Sequence, residues 1–148
     1  MRVSCLAAVA TAVLGLAGSA LAARAADDAC YQKAQTQAQL NACASAALKR
    51  EDDQLNQLYR QIMDRLGADQ KARDLLTHAE RDWLRFRGSA CSFTAMRVAD
   101  GSIYPMMMND CMAGLTRTRN IELQDHLACY KGGEQAAAQC AVPGPAMK

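Results

Sequence analysis

Few side chains in this chain have the type and spacing to do covalent chemistry. A Ser, Thr or Cys nucleophile needs a base within hydrogen-bond reach and a third group to orient that base. The two histidines are His78 and His126. His78 follows Leu75-Leu76 in a helical pattern, and His126 falls near a helix end, where a cation is favoured. Neither has an orienting partner beside it, so both read as structural or surface residues. Asp52-Asp53 is a carboxylate pair, but neighbours on a helix point in different directions, and glycoside hydrolysis needs two carboxyls facing across a cleft. No phosphate-cradling glycine loop or dinucleotide fingerprint is present. Met106, Met107, Met108 and Met112 offer thioethers that suit Cu(I), yet at this helical spacing they read as core filler and adaptable contact surface. The expectation is a protein with no catalytic residues, no metal and no cofactor, not an enzyme.

Cysteine is the reactive residue the chain uses most systematically. Seven are present, at Cys5, Cys30, Cys43, Cys91, Cys111, Cys129 and Cys140. Cys5 lies in an N-terminal stretch that begins Met1-Arg2, runs apolar to Leu21 and ends in Ala20-Leu21-Ala22 and Ala23-Arg24-Ala25. That is the pattern of a cleaved export signal over residues 1–25. A lipid-attachment signal needs a cysteine directly after the apolar run. Cys5 comes too early, and Cys30 follows Asp27-Asp28-Ala29. The six remaining cysteines, in a chain bound for the periplasm or the exterior, read as three disulfides. A zinc site lacks CxxC spacing and adjacent histidines.

Arg2 and Arg24 account for the formal net charge of +2, so the mature chain is neutral. Nothing in that balance points to nucleic acid or an anionic membrane as a partner, and no span remains once the signal is removed. About 120 residues suit a single small domain.

The elements that must position these residues are helical. Asp27 to Gln35 reads as short and irregular. Thr36-Gln37-Ala38-Gln39 fits a capping box. From there to Leu66 no Pro or Gly intervenes, and Leu48, Leu55, Leu58, Tyr59, Ile62 and Leu66 form one apolar stripe, with Lys49-Arg50-Glu51-Asp52-Asp53 on the wet side. Gly67 is a good C-cap, and Ala68-Asp69-Gln70 is short enough to turn the next helix back. That helix presents Leu75/Leu76, Ala79, Trp83, Phe86, Ala90 and Phe93 as its expected inner face. Glu80, Arg81, Asp82, Arg85 and Arg87 form its expected solvated face, with Arg85 or Arg87 bridging to a neighbouring helix. Asp100-Gly101-Ser102 is turn chemistry. A third helix opens at Met106 or Met107 and runs through Cys111, Leu115 and Thr118 past Glu122.

The fold expected is all-α: a small up-down bundle of about three helices over residues 26–127, clasped by disulfides, with Tyr59, Trp83, Phe86 and Leu115 in its core. Residues 128–148 read as a cysteine-containing, partly frayed tail. Six cysteines allow fifteen pairings. One unbroken helix would hold Cys30 and Cys43 about 20 Å apart, beyond disulfide reach. A helix starting at Thr36 lets the Cys30 segment fold back onto its second turn. Cys91 and Cys111 face each other across one loop. The pairing favoured is Cys30–Cys43, Cys91–Cys111 and Cys129–Cys140.

A rigid helical module of this kind reads as a binder. Its best-defined binding element is the loop Asp100 to Pro105, where Ile103 and Tyr104 either contact a partner or plug the end of the bundle.

Several segments together resemble a known family. They are Thr36-Gln37-Ala38-Gln39-Leu40-Asn41-Ala42-Cys43-Ala44, then Asp53-x-Leu55-Asn56-x-x-Tyr59, then Glu80-Arg81-Asp82-Trp83-Leu84-Arg85-Phe86-Arg87-x-x-x-Cys91. Gly101-Ser102-Ile103-Tyr104-Pro105, Cys111 and Leu115-Thr116-x-x-Arg119 complete the pattern. The chain from Cys30 to Leu123 is similar to the exported bacterial domains named after the lysozyme inhibitor LprI. The resemblance implies a helical domain with Cys30, Cys43, Cys91 and Cys111 in disulfides, and lysozyme or another envelope protein as partner. Gly88-Ser89 departs from the acidic residue the family carries after Arg87, and Cys129 and Cys140 lie outside the matched region. On this reading the protein is an exported binding module that inhibits lysozyme and protects peptidoglycan. Ser102, Ile103 and Tyr104 are the candidate contacts, and Glu51, Asp52 and Asp53 the electrostatic steering group. The alternative is a structural or accessory module of the cell envelope.

Overall fold

The computed structural model describes residues 27–145; the expected export signal over residues 1–25 lies outside them. Helix α1 (residues 27–33) leads into α2 (Gln37–Leu66), α3 (Gln70–Ala95), α4 (Tyr104–Ala128) and the short α5 (Glu134–Ala137). Single 3₁₀ turns at Met96–Val98 and Cys129–Gly132 follow α3 and α4. No strand occurs among the described residues, so the expected all-α bundle is what forms.

Local chemistry sets the boundaries. Thr36 Oγ1 accepts the Gln39 N–H at 3.2 Å, and Gln39 Oε1 accepts the Thr36 N–H at 3.1 Å, which completes the capping box. At the far end of α2, Gly67 adopts φ +53°, a conformation that an L side chain would strain. Asp69 then caps α3 by accepting the Ala72 N–H at 3.0 Å. Two expectations fail locally. Residues 27–33 are helical rather than irregular, because the bridge to Cys43 holds this turn against α2. Helix α4 begins at Tyr104, ahead of the expected Met106, because Pro105 sits in the first turn, where no N–H is required.

Helices α2 and α4 form the principal packed pair, and α3 lies mainly against α4. Buried Ala44, Ala47 and Ala113 let α2 and α4 approach closely. Towards the other end the core is Leu55, Leu58, Ile62, Leu66, Leu123 and Leu127, with Trp83 packed against its edge. Val142 joins this cluster, so the tail is not frayed at that point: the Cys129–Cys140 bridge turns it back over the core. Arg65 holds the same corner, donating to Leu127 O at 2.7 Å and lying over the Tyr130 ring at 5.3 Å.

The cysteines pair as Cys30–Cys43, Cys91–Cys111 and Cys129–Cys140, with Cα separations of 5.8, 5.6 and 5.9 Å.

The rotation of α3 is the main correction. Phe86, expected in the core, is 57% exposed, Phe93 is 76% exposed and Leu75 is 62% exposed. Glu80, expected in solvent, is buried at 7%. Cys91 explains the difference. Its sulfur must face Cys111 on α4, and at about 100° per residue Phe86 and Phe93 then lie roughly 140° and 160° round the helix from it. Trp83 and Tyr59 stay half-buried, with the Tyr59 hydroxyl 3.0 Å from Thr77 Oγ1, and Leu115 is half-buried too.

Candidate functional site

The loop between α3 and α4 is a built structure. Val98 O accepts the Gly101 N–H at 2.9 Å, and Gly101 O accepts the Tyr104 N–H at 3.0 Å. A side chain at Gly101 would bring a Cβ to 3.3 Å from Val98 O, so the turn is drawn tight there. Asn41 of α2 donates to Ser102 O at 3.0 Å, and Gln37 reaches the Met106 sulfur at 3.9 Å. The Cys91–Cys111 bridge closes the segment from behind. The loop and the first turns of α2 therefore make one surface at the end of the bundle. Ser102, Asp100 and Pro105 are exposed on it, while Ile103 and Tyr104 are half-buried.

The acidic residues expected to steer a partner are mostly committed elsewhere. Glu51 is buried: its carboxylate accepts Arg117 Nε at 2.8 Å and Asn120 Nδ2 at 3.0 Å, and its main-chain carbonyl accepts the same amide. Asp52 pairs with Arg87, which also donates to Thr116 Oγ1 at 2.7 Å and lies over the Trp83 ring. Asp53 alone of the three is exposed, and it pairs with Lys49 at 2.7 Å. Arg119 donates through Nε to Glu80 at 3.0 Å and through Nη1 to Glu122 at 2.6 Å. Burial lowers the Arg119 pKa, but the bonds to Glu80 and Glu122 more than offset that and raise it. These pairs form an internal polar belt that sets the register of α2, α3 and α4. Arg87 makes the expected inter-helix bridge, whereas Arg85 pairs locally with Asp82.

The acidic surface that sequence reasoning missed is a cleft of about 330 Å³ between α1, α2 and α4, lined by Asp27, Asp28, Tyr31, Asp110, Gly114 and Arg117. Asp27 is held by Arg50 and Arg117, while Asp28 and Asp110 are exposed. The Tyr31 hydroxyl donates to Asp110 Oδ1. Burial first, and then that carboxylate, push the phenol pKa well above its ordinary value. One signal was available in the sequence: Cys30 must double back onto α2, which brings the adjacent acidic and aromatic residues with it.

A raised phenol pKa makes the neutral tyrosine the form that the fold favours. Its contribution is fully present below the unfolded pKa near 10 and is lost as pH rises through the folded value. In an ultraviolet absorbance titration Tyr31 is expected to ionise well above the ordinary tyrosine range, and Tyr31→Phe should remove that alkaline step. Removal of an earlier step instead would show that the Asp110 contact does not persist in solution.

His78 and His126 are both exposed. Among the described residues, no group of three or more His, Cys, Asp or Glu side chains is placed to hold a metal ion. No helix among them is long and apolar enough to cross a membrane.

What the geometry presents is a disulfide-clasped helical module with an internal polar belt and a hydrogen-bonded, outward-facing loop end. The family model for the lysozyme inhibitor LprI matches residues 28–123, and the chain belongs to that family. It is also similar to uncharacterized protein R02472 of Rhizobium meliloti (strain 1021), with 31% identity over 105 residues that cover 64% of this chain and 76% of the relative. No solved structure matches.

Proposed function

We propose that this protein is an exported inhibitor of lysozyme that acts by binding, without catalysis, and so protects peptidoglycan. Membership of the LprI family supports the target. The observation that carries the contact surface is the Ser102 turn, tied to α2 through Asn41 and bracketed by Cys91–Cys111. A turn ordered before binding loses little conformational entropy when it inserts into a cleft. Ser102 and the adjacent main chain supply neutral hydrogen-bonding groups for a cleft flanked by catalytic carboxyls. Asp28, Asp100 and Asp110 replace Glu51 and Asp52 as the acidic residues available to a cationic enzyme, because they are exposed. The neutral mature chain adds no long-range attraction, so these local charges must orient the encounter.

The test is titration of the oxidised mature protein into lysozymes of several structural types while cell-wall lysis is followed. Stoichiometric inhibition of one type is expected, and Ser102→Ala combined with Tyr104→Ala should weaken it at least about tenfold. Inhibition unchanged by the double substitution removes the loop from the interface. Failure to inhibit every type transfers the protein to the accessory-module reading.

A further inference from the structure

The rotation of α3 leaves a line of apolar residues on its outer face that no described element covers: Leu75, Ala79, Phe86, Ala90 and Phe93, with Met96 at its margin. Beside the N-terminal end of this line lies an apolar groove of about 230 Å³, lined by Leu75, Leu76 and Ala79 of α3, Ile62 of α2, and Val142 of the tail. Phe93, the most exposed large apolar side chain, stands at the opposite end. Knob and groove are eighteen residues apart on one helix face, or about 27 Å.

We propose that this face docks a second copy of the chain, α3 against α3 and antiparallel, with each Phe93 seated in the other copy's groove at Leu75 and Ala79. A two-fold axis crossing α3 midway between positions 75 and 93 places each knob opposite the other groove, as an isologous interface requires. The same operation brings the two Phe86 rings together near the axis. Ala79 and Ala90 keep the seam narrow enough for the helices to approach.

Charge favours a second copy over a cationic partner. Asp82 on the stripe is already paired with Arg85 of its own helix, Arg81 borders it, and the formally neutral mature chain does not repel itself. Leu75, Phe86, Phe93 and Met96 together expose roughly 400–500 Å² per copy. With the flanking Ala79, Asp82 and Ser89, that approaches the ~800 Å² per partner of a standard interface. Leu75 and Phe93 are not part of the Ser102 turn, so dimerisation and lysozyme inhibition can be tested with different substitutions.

Sedimentation equilibrium of the oxidised mature protein over about 1–200 µM is expected to show a monomer–dimer equilibrium with a Kd in the micromolar range. Phe93→Asp and Leu75→Asp, each at an exposed position, should weaken it at least about tenfold and leave the circular dichroism spectrum unchanged. Ile121→Asp, exposed on α4, should leave it intact. A monomer throughout that range overturns the proposal, as does a dimer indifferent to both α3 substitutions.

Discussion

Replacing Arg119 by methionine is expected to lower the stability of the bundle by about 3–5 kcal/mol, the range for removing one member of a buried ion pair. The Glu80 side chain is only 10% exposed and Arg119 17%, and the guanidinium reaches the carboxylate through two nitrogens. With Arg119 gone, the Glu80 carboxyl stays shielded from water but loses the guanidinium that pairs with it. A domain of this size holds only about 5–15 kcal/mol in all, so the loss is a large share of it. Replacing both residues by methionine should be less damaging than Arg119→Met alone, since no uncompensated charge then remains. Arg85→Met is the internal control: its partner Asp82 and the arginine itself are 67% and 75% exposed, and the change should stay within about 0.5 kcal/mol. Denaturant unfolding of the four proteins measures all of this. A loss below about 1 kcal/mol for Arg119→Met would show that the belt does not set the packing of α3.

Removing the Cys91–Cys111 bridge by paired alanine substitution is the second large effect. The bridge spans 20 residues, and its loss should cost about 3 kcal/mol through the freedom returned to the unfolded chain. A second consequence is local. The bridge fixes which face of α3 meets α4 and closes the segment carrying the Ser102 turn. Hydrogen exchange at the Gly101, Tyr104 and Met107 amides, which donate within and just after that turn, should accelerate more than exchange in the middle of α2. Lysozyme inhibition should weaken with it, because the loop would then have to be ordered on binding. Equal exchange rates with and without the bridge would show that Asn41 and the turn itself hold the loop.

The three long helices and their order were legible because each rests on local chemistry: the capping box at Thr36 and the turn at Gly67 act over a few residues. The cysteine pairs, 11 to 20 positions apart, could be favoured from where those helices end but not deduced. The facing of α3 was not legible, since Trp83, Phe86 and Phe93 present an apolar period that would suit a core-facing helix. The competing signal was Cys91, whose partner dictates the opposite facing, and it outweighs a stripe that finds no neighbour. Polar burial was hidden for a related reason. Glu80 finds Arg119 39 positions away and Glu51 finds Asn120 69 positions away, so no window of sequence shows either pair. At the candidate site the Ser102 turn could be read from Asp100-Gly101-Ser102. The acidic cleft was half-legible: the fold-back of Cys30 brings Asp27 and Tyr31 onto α2, but Asp110 reaches them only because α4 packs beside α2.

The three bridges share a property that bears on how the protein is made. Taken along the mature chain, the cysteines are joined first to second, third to fourth and fifth to sixth, with no bridge enclosing or crossing another. If the chain is exported amino end first, as proposed above, each correct partner emerges before the next cysteine. Simple oxidation in order of arrival therefore produces the native set, with no mispaired intermediate to reshuffle. On that proposal, assembly of this fold calls for a thiol oxidant and places no demand on a disulfide isomerase.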